Sequence, residues 1–150
     1  MPTIREATIE DCHAIAPRIR DAEREAVKAL FGKDISAECL LKSFEVSDQR
    51  FAIVHDGKPL AIFGAMPFSD EAACPWLAST DEMGEHLGWL VRNATRIHRL
   101  LQKHYAWLAT IIDARDVVAI RLAPRLGLTL AHIEAVEPSG QVFQHVWSTR

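Results

Sequence analysis

The segment Tyr105 to Asp113 (YAWLATIID) constrains the fold more than any other stretch of the chain. It is short, largely apolar and flanked on both sides by helical patterns, which reads as a buried strand. Upstream lies a long amphipathic helix that starts at Ser79 to Asp81, with Ser79 and Glu82 in capping-box register. Its core face is Leu87, Leu90, Val91, Ala94, Ile97 and Leu101. Before that helix comes another strand, roughly Ala72 to Ala78. Strands on both sides of a crossover helix imply a locally parallel pair.

Antiparallel signals surround this crossover. FAIVH, then Asp56-Gly57, then KPLAIFGAM spells a hairpin with a tight two-residue turn. LTLAHIEAV and QVFQHVWS form a second hairpin around Glu137 to Gly140. At the start, Thr3 to Ala7 reads as a strand, and Thr8 with Asp11 offers a variant capping box. Apolar residues at helical spacing follow from Ile9 to Leu30, with Pro17 predicting a kink or two successive helices. Their polar face, Arg18, Arg20, Asp21, Glu23, Arg24 and Glu25, reads as solvated surface. Ser36 to Phe44 makes a second helix. Val117 to Leu126 makes the last, closed by Gly127.

The order is β-α-α-β-β-β-α-β-α-β-β over residues 1–150, taken as one α/β (α+β) domain. A mixed, mostly antiparallel central sheet of about seven strands would carry four helices. With 49% hydrophobic and 25% charged residues, the composition is that of a globular protein. A net charge of −3 argues against nucleic acid as the partner. Cys12, Cys39 and Cys74 show no CxxC spacing, which excludes a disulfide framework and fits a reducing compartment. The charged start, MPTIREATIED, is no signal peptide, and no stretch is apolar enough to span a bilayer.

This element order resembles the GNAT superfamily of N-acetyltransferases along nearly the whole chain. The resemblance implies acyl-CoA held where the fourth and fifth strands splay apart, with its pyrophosphate on backbone N–H groups opening the long helix. The physics is anion capture at a helix N-terminus. The corresponding segment, STDEMGEHLG, has Gly84 and Gly88 but no Arg/Gln-x-x-Gly-x-Gly/Ala loop. Asp81, Glu82 and Glu85 are expected to cap the helix and repel a dianion. If acyl-CoA binds, its ligands are the backbone amides of Met83, Gly84, Glu85, His86 and Leu87. DVVAIRLAPRLGL matches the packing half of the family's Asn-x-x-Ala-x-x-Phe-Tyr-x-x-x-Gly-Phe pattern. Asp116 stands at the Asn position, and Ala123 stands where the family places a proton-donating Tyr. Glu71, His86 and Asp116 are the candidate acid–base residues, and nothing singles one out.

The second half is also similar to a narrower group, the GNAT-like internal virion protein A family of short-tailed bacteriophages. KPLAIFG, Trp76 with Ser79-Thr80-Asp81, LLQKHYAWL, AIRLAPRLG and Gly140-x-x-Phe143 carry that resemblance. It implies a virion assembly or genome-ejection component that binds protein, in a host cytoplasm or a particle.

Three further features need an account. Pro75 cannot donate to a ladder, so it sits either at the splayed edge or at an ordinary strand end. At that edge it would remove a donor to the pantetheine arm, and Trp76 would partly fill the cleft. Arg92, Arg96, Arg99 and Lys103 line one helix face, either solvated or presented to an acidic partner. The seven histidines show no HExxH, and only His132 and His145 would face each other, if the last hairpin pairs symmetrically about its turn. Two ligands without a third make no metal site, so a polar cross-strand pair is expected. The preferred reading is a non-catalytic GNAT-fold component that binds protein, with no cofactor and with self-association open. The alternative is a divergent acyl-CoA-dependent N-acetyltransferase acting on an amine of a small molecule or protein, with acetyl-CoA as cofactor.

Overall fold

The first strand and helix, β1 (Thr3–Glu6) and α1 (Ile9–Ile15), are joined by the capping box that Thr8 and Asp11 predict. In the computed structural model, which describes residues 1–150, Thr8 Oγ1 accepts from the Asp11 N–H and Asp11 Oδ2 accepts from the Thr8 N–H. Arg5 adds a bidentate pair to the same carboxylate at 2.6 and 2.9 Å. Those bonds hold the buried Asp11 carboxyl below its ordinary value of 3.8.

Pro17 divides the helical stretch as expected. A 3-10 turn at Ala16–Arg18 separates α1 from α2 (Asp21–Phe31), and α3 (Ser36–Val46) follows. The hairpin β2 (Gln49–His55) and β3 (Lys58–Pro67) turns at Asp56 and Gly57, both at positive φ. Next come β4 (Ala72–Ser79), a 3-10 turn at Asp81–His86, α4 (Leu87–Arg92) and α5 (Ala94–Gln102). The chain ends with β5 (Trp107–Asp113), α6 (Val117–Leu122), a 3-10 turn at Pro124–Leu126, β6 (Thr129–Val136) and β7 (Gln141–Thr149).

All seven strands join one sheet in the order β1-β2-β3-β4-β5-β7-β6, with β4–β5 its one parallel pair. On one face Ile53, Leu60, Phe63 and Leu108 pack under Trp89, Leu90, Ile97 and Leu101 of α4 and α5. On the other, Ala52, Val54 and Ile62 pack under Cys12, Ile15 and Leu40 of α1 and α3. Period-two alternation in β2 thus serves two cores.

Three expectations need correction. The long helix is not continuous: Asn93 breaks it, its side chain donating 2.9 Å to the Trp89 carbonyl in competition with the backbone. The α2 stripe is a poor core, with Ala29 its one buried residue, because polar bonds anchor this helix. Ser79 and Glu82 form no capping box; both side chains are committed elsewhere.

Two stability effects follow. Asp11→Ala removes a cap and strands Arg5, and is expected to cost about 2 kcal/mol in urea denaturation at neutral pH. Because the folded carboxyl lies below 3.8, this stabilisation is full above that pH and is lost as pH falls through the folded value. Wild type and variant should therefore converge in acid. Gly64→Ala would set a Cβ 2.3 Å from the Gln49 carbonyl and 2.8 Å from the Trp76 ring. Overpacking of that kind costs about 1–3 kcal/mol, read as a lowered denaturation midpoint.

Candidate active site

Strands β4 and β5 share only two register positions, Ala72 with Trp107 and Ala73 with Leu108. Beyond them β5 stays paired with β7, while β4 stays paired with β3 up to Ser79. The two strands therefore diverge toward their C-terminal ends. Cys74 Sγ and Thr110 Oγ1, 3.4 Å apart, make a side-chain contact between them. Burial pushes the Cys74 thiol up, so it is no activated nucleophile.

Which β4 groups face this opening follows from strand alternation. The Glu71 carbonyl accepts from Trp107 N–H on the β5 side, the Ala72 carbonyl from Phe68 N–H on the β3 side, and Thr80 N–H donates to Leu60 on the β3 side. Residues 75, 77 and 79 therefore direct their backbone groups at the opening. Pro75 has no N–H. The Ser79 N–H is bonded to Glu23 Oε1 at 2.8 Å. That leaves Leu77 as the free donor.

The mouth is bordered by a polar cluster drawn from three distant parts of the chain. The Ser79 carbonyl accepts from the Arg20 N–H at 2.9 Å, next to the bridge between Ile19 and Thr80. Arg20 Nε donates to Glu23 Oε2 at 2.6 Å and to Ser79 Oγ at 3.1 Å, and its Nη2 to Asp116 Oδ2 at 2.7 Å. The Ser79 hydroxyl donates to Glu23, and Asp116 Oδ1 caps α6 through the Ala119 N–H. Side-chain exposure is 19% for Arg20, 17% for Glu23 and 8% for Asp116. Removal from water pushes the Glu23 carboxyl up, against the pull of its bonds to Ser79 and Arg20. Burial also works against the Arg20 charge, but Glu23 and Asp116 more than offset it.

Of the three acid–base candidates, only Asp116 is at this mouth. Glu71 is at the closed end, eight residues or roughly 26 Å along the strand from Ser79. The His86 ring lies 4.8 Å from that of His55. Arg20 and Glu23, read as solvated surface, are instead the centre of the cluster. Their partners lie 56 to 96 residues away, and no local pattern reports such pairing. The one hint was Asp116 at the motif's Asn position, an acid that needs a cation once it is buried.

The acidic turn differs from expectation at one of its three acids, while Asp81 and Glu85 make no ion pair. Glu82 accepts from Lys58 Nζ at 2.7 Å and Arg18 Nη2 at 3.1 Å, so its charge is compensated. Among the amide candidates, Met83 sends its side chain into the core, Gly84 and Glu85 are exposed, and His86 and Leu87 are half-buried. A Cβ on Gly84 would meet open space, and one on Gly88 would lie 3.3 Å from the Arg92 guanidinium. Trp76 does not fill the opening, because its ring lies across Gly64 and its Nε1 donates to Ser47. Ala123 is buried and carries no proton donor. The single tyrosine, Tyr105, is bonded to Asp48 at the closed end and pushed up to about 12 by burial and that contact.

Arg92, Arg96, Arg99 and Lys103 are all exposed and make no ion pair. Arg92 and Arg96 border a groove of about 450 Å³ with Trp89 and the N-terminal residues. His132 and His145 do face each other, with Glu134 beside them.

Solved structures share this architecture over almost the whole chain. Ard1 from Thermoplasma volcanium superposes with a TM-score of 0.75 at 14% identity, covering 99% of this chain and 97% of that one. A GNAT superfamily phosphinothricin acetyltransferase from Sinorhizobium meliloti, in complex with acetyl-CoA, gives 0.67 at 16% identity, covering 99% and 88%. An acetyltransferase from Salmonella typhimurium with its cofactor acetyl-CoA gives 0.72 at 14% identity, covering 99% and 94%. The chain has the GNAT fold. No family model and no curated protein matches it, and nothing in the comparisons supports the narrower virion resemblance. The GNAT neighbours solved with acetyl-CoA overturn the expectation that no cofactor is involved. No helix is long and apolar enough to cross a membrane.

Arg20→Ala should test the cluster directly. It leaves Glu23 and Asp116 without their cation, and is expected to destabilise by about 3 kcal/mol. The measurement is denaturant unfolding, with Arg20→Lys recovering only part because lysine cannot fork between two carboxylates.

Proposed function

We propose that the chain is an acyl-CoA-dependent N-acyltransferase acting on an amine of a small molecule or protein. The observation that carries this reading is the opening between β4 and β5, bordered by buried carboxylates at its C-terminal end. The acetyltransferase neighbours that share the fold support it.

The residues present fit acetyl-CoA, though sparingly. Leu77 N–H is placed to bond an amide of an extended arm. The turn Met83 to Leu87 has open space over Gly84, a compensated Glu82 and the Arg92 guanidinium beside Gly88, which suits a phosphate better than the sequence implied. Acetyl-CoA supplies an activated acyl carbonyl when bound. The chain's own part is to take a proton from the attacking amine. Glu23 suits that task, because a carboxyl raised by burial is a stronger base than a solvated one. Asp116, through Arg20, fixes its position. With alanine at position 123 the family's tyrosine general acid is missing, a contribution typically worth about 10²–10⁴ in rate. Slow turnover is the consequence.

A second reading keeps the scaffold and changes its use. The row Arg92, Arg96, Arg99 and Lys103, exposed and without acidic partners, would dock an acidic protein surface. A role in a phage particle rests on the sequence resemblance alone.

Thermal unfolding with acetyl-CoA separates the two. Ligand at about 100 times its Kd stabilises the native state by about 2.7 kcal/mol, a rise of several degrees for a chain of this size. Leu77→Pro should reduce that rise while leaving the unliganded midpoint nearly unchanged, since its N–H faces the opening. An unmoved midpoint up to millimolar acetyl-CoA would sink the acyltransferase reading. For catalysis, Glu23→Gln should lower kcat by about 10²-fold or more at unchanged acetyl-CoA affinity, followed as thiol release against a panel of amines.

A further inference from the structure

We propose that the C-terminal hairpin carries a surface site for a late first-row divalent metal ion, with Zn²⁺ as its natural probe, held by His132, Glu134 and His145. The site owes its geometry to the hairpin register. Glu134 pairs with Phe143 and Ile133 with Gln144, so that His132 comes opposite His145 with Glu134 diagonal to it, and a β-bulge follows at once. Leu130 pairs with Val146 and Ile133 with Gln144, so Ala131 and His132 together oppose the single residue His145. Gln144 supports the bulge, its Nε2 donating 2.8 Å to the Ala131 carbonyl and 3.2 Å to that of His132.

The result is a compact donor set. The two imidazole rings stack with centroids 4.1 Å apart, and since a metal–imidazole bond lies in the ring plane, both rings, neither of them buried, turn out of the stack to share an ion. Glu134 Oε2 lies 3.1 Å from His145 Nε2 and 3.6 Å from His132 Nε2. All three ligand atoms fall within 4.8 Å of one another. In a tetrahedral ion with bonds of about 2.0–2.1 Å, neighbouring ligand atoms sit roughly 3.3 Å apart, so two of the three edges are already near that length. No lysine or arginine competes for Glu134, whose ion-pair partners are the two imidazoles. Two imidazoles and a carboxylate form a donor set that zinc sites use with a fourth position left to water. Exposure of 66%, 59% and 32% for His132, Glu134 and His145 leaves room for an ion to enter. The sequence showed two ligands, histidines thirteen residues apart, and the hairpin register brings Glu134 to them as the third.

The test uses the full chain without an affinity tag, stripped with chelator and titrated with Zn²⁺ against a chromophoric chelator. One ion per chain is expected. Substituting Co²⁺ should give the intense visible bands of a tetrahedral rather than an octahedral ion. Glu134→Gln and His145→Ala should each weaken binding by more than about a hundredfold, above the 10–100-fold typical of removing a ligand's outer partner. All three side chains are solvent-accessible, and circular dichroism verifies that each variant is folded. His86→Ala, which breaks the other close imidazole pair, should leave binding unchanged. Absence of binding at millimolar Zn²⁺, or retention of it in the His132→Ala/His145→Ala double variant, would overturn the proposal.

Discussion

One guanidinium holds together the parts of this molecule that the backbone alone would leave separate. Arg20 reaches Glu23 on α2, Ser79 at the end of β4 and Asp116 at the start of α6. Those contacts join the α1–α2 connection, the central strand and the helix after β5. Without them α2 would have little to stand on, since its apolar face buries only Ala29. The divergence of β4 and β5 depends on the same cluster. A strand that leaves its parallel neighbour must satisfy its backbone elsewhere. Glu23 and the Arg20 amide provide this at Ser79.

Such a cluster carries risk as well as order. Removing carboxylates and a guanidinium from water costs several kcal/mol per ion, recovered only when each donor and acceptor is met. Here the bonds converge: both Glu23 oxygens and both Asp116 oxygens accept hydrogen bonds. The balance still leaves the Glu23 carboxyl above its ordinary value, because burial outweighs its bonds. A structural tie between three segments and the proton acceptor proposed beside the opening thus follow from one arrangement.

The fold was legible because its signals are local. The Thr8–Asp11 box, the Asp56-Gly57 turn, Pro17 and the apolar run before Asp113 each declare an element within a few residues. Alternation then assigns faces. What the pattern could not show was pairing at a distance. Arg20 and Glu23 look like ordinary solvated helix residues until Ser79 and Asp116 are brought beside them. Glu82 looks like a repulsive charge until Lys58 and Arg18 arrive from other elements. Asn93 was hidden for a different reason: the apolar period runs straight through it, and only its amide bond to Trp89 stops the helix. At the hairpin the two histidines were visible, but Glu134, diagonal to His145 in the same register, was not counted with them.

Magnitude decides how much the departures at β4 matter. Pro75 removes one donor from the opening and Glu23 occupies another, leaving Leu77. A neutral hydrogen bond contributes about 0.5–1.5 kcal/mol net, so two lost donors weaken an extended ligand by roughly 5- to 150-fold at 1.4 kcal/mol per decade. Losses of that size lower affinity without abolishing it, because the apolar and charged contacts of the rest of a large ligand are untouched. The missing tyrosine has a comparable effect on rate, about 10²–10⁴, against the 10⁶ or more by which enzymes accelerate reactions. A proline at the edge and an alanine in the proton donor's place therefore fit the proposed transferase as a weaker, slower one. They are too small to be evidence against the proposed ligand.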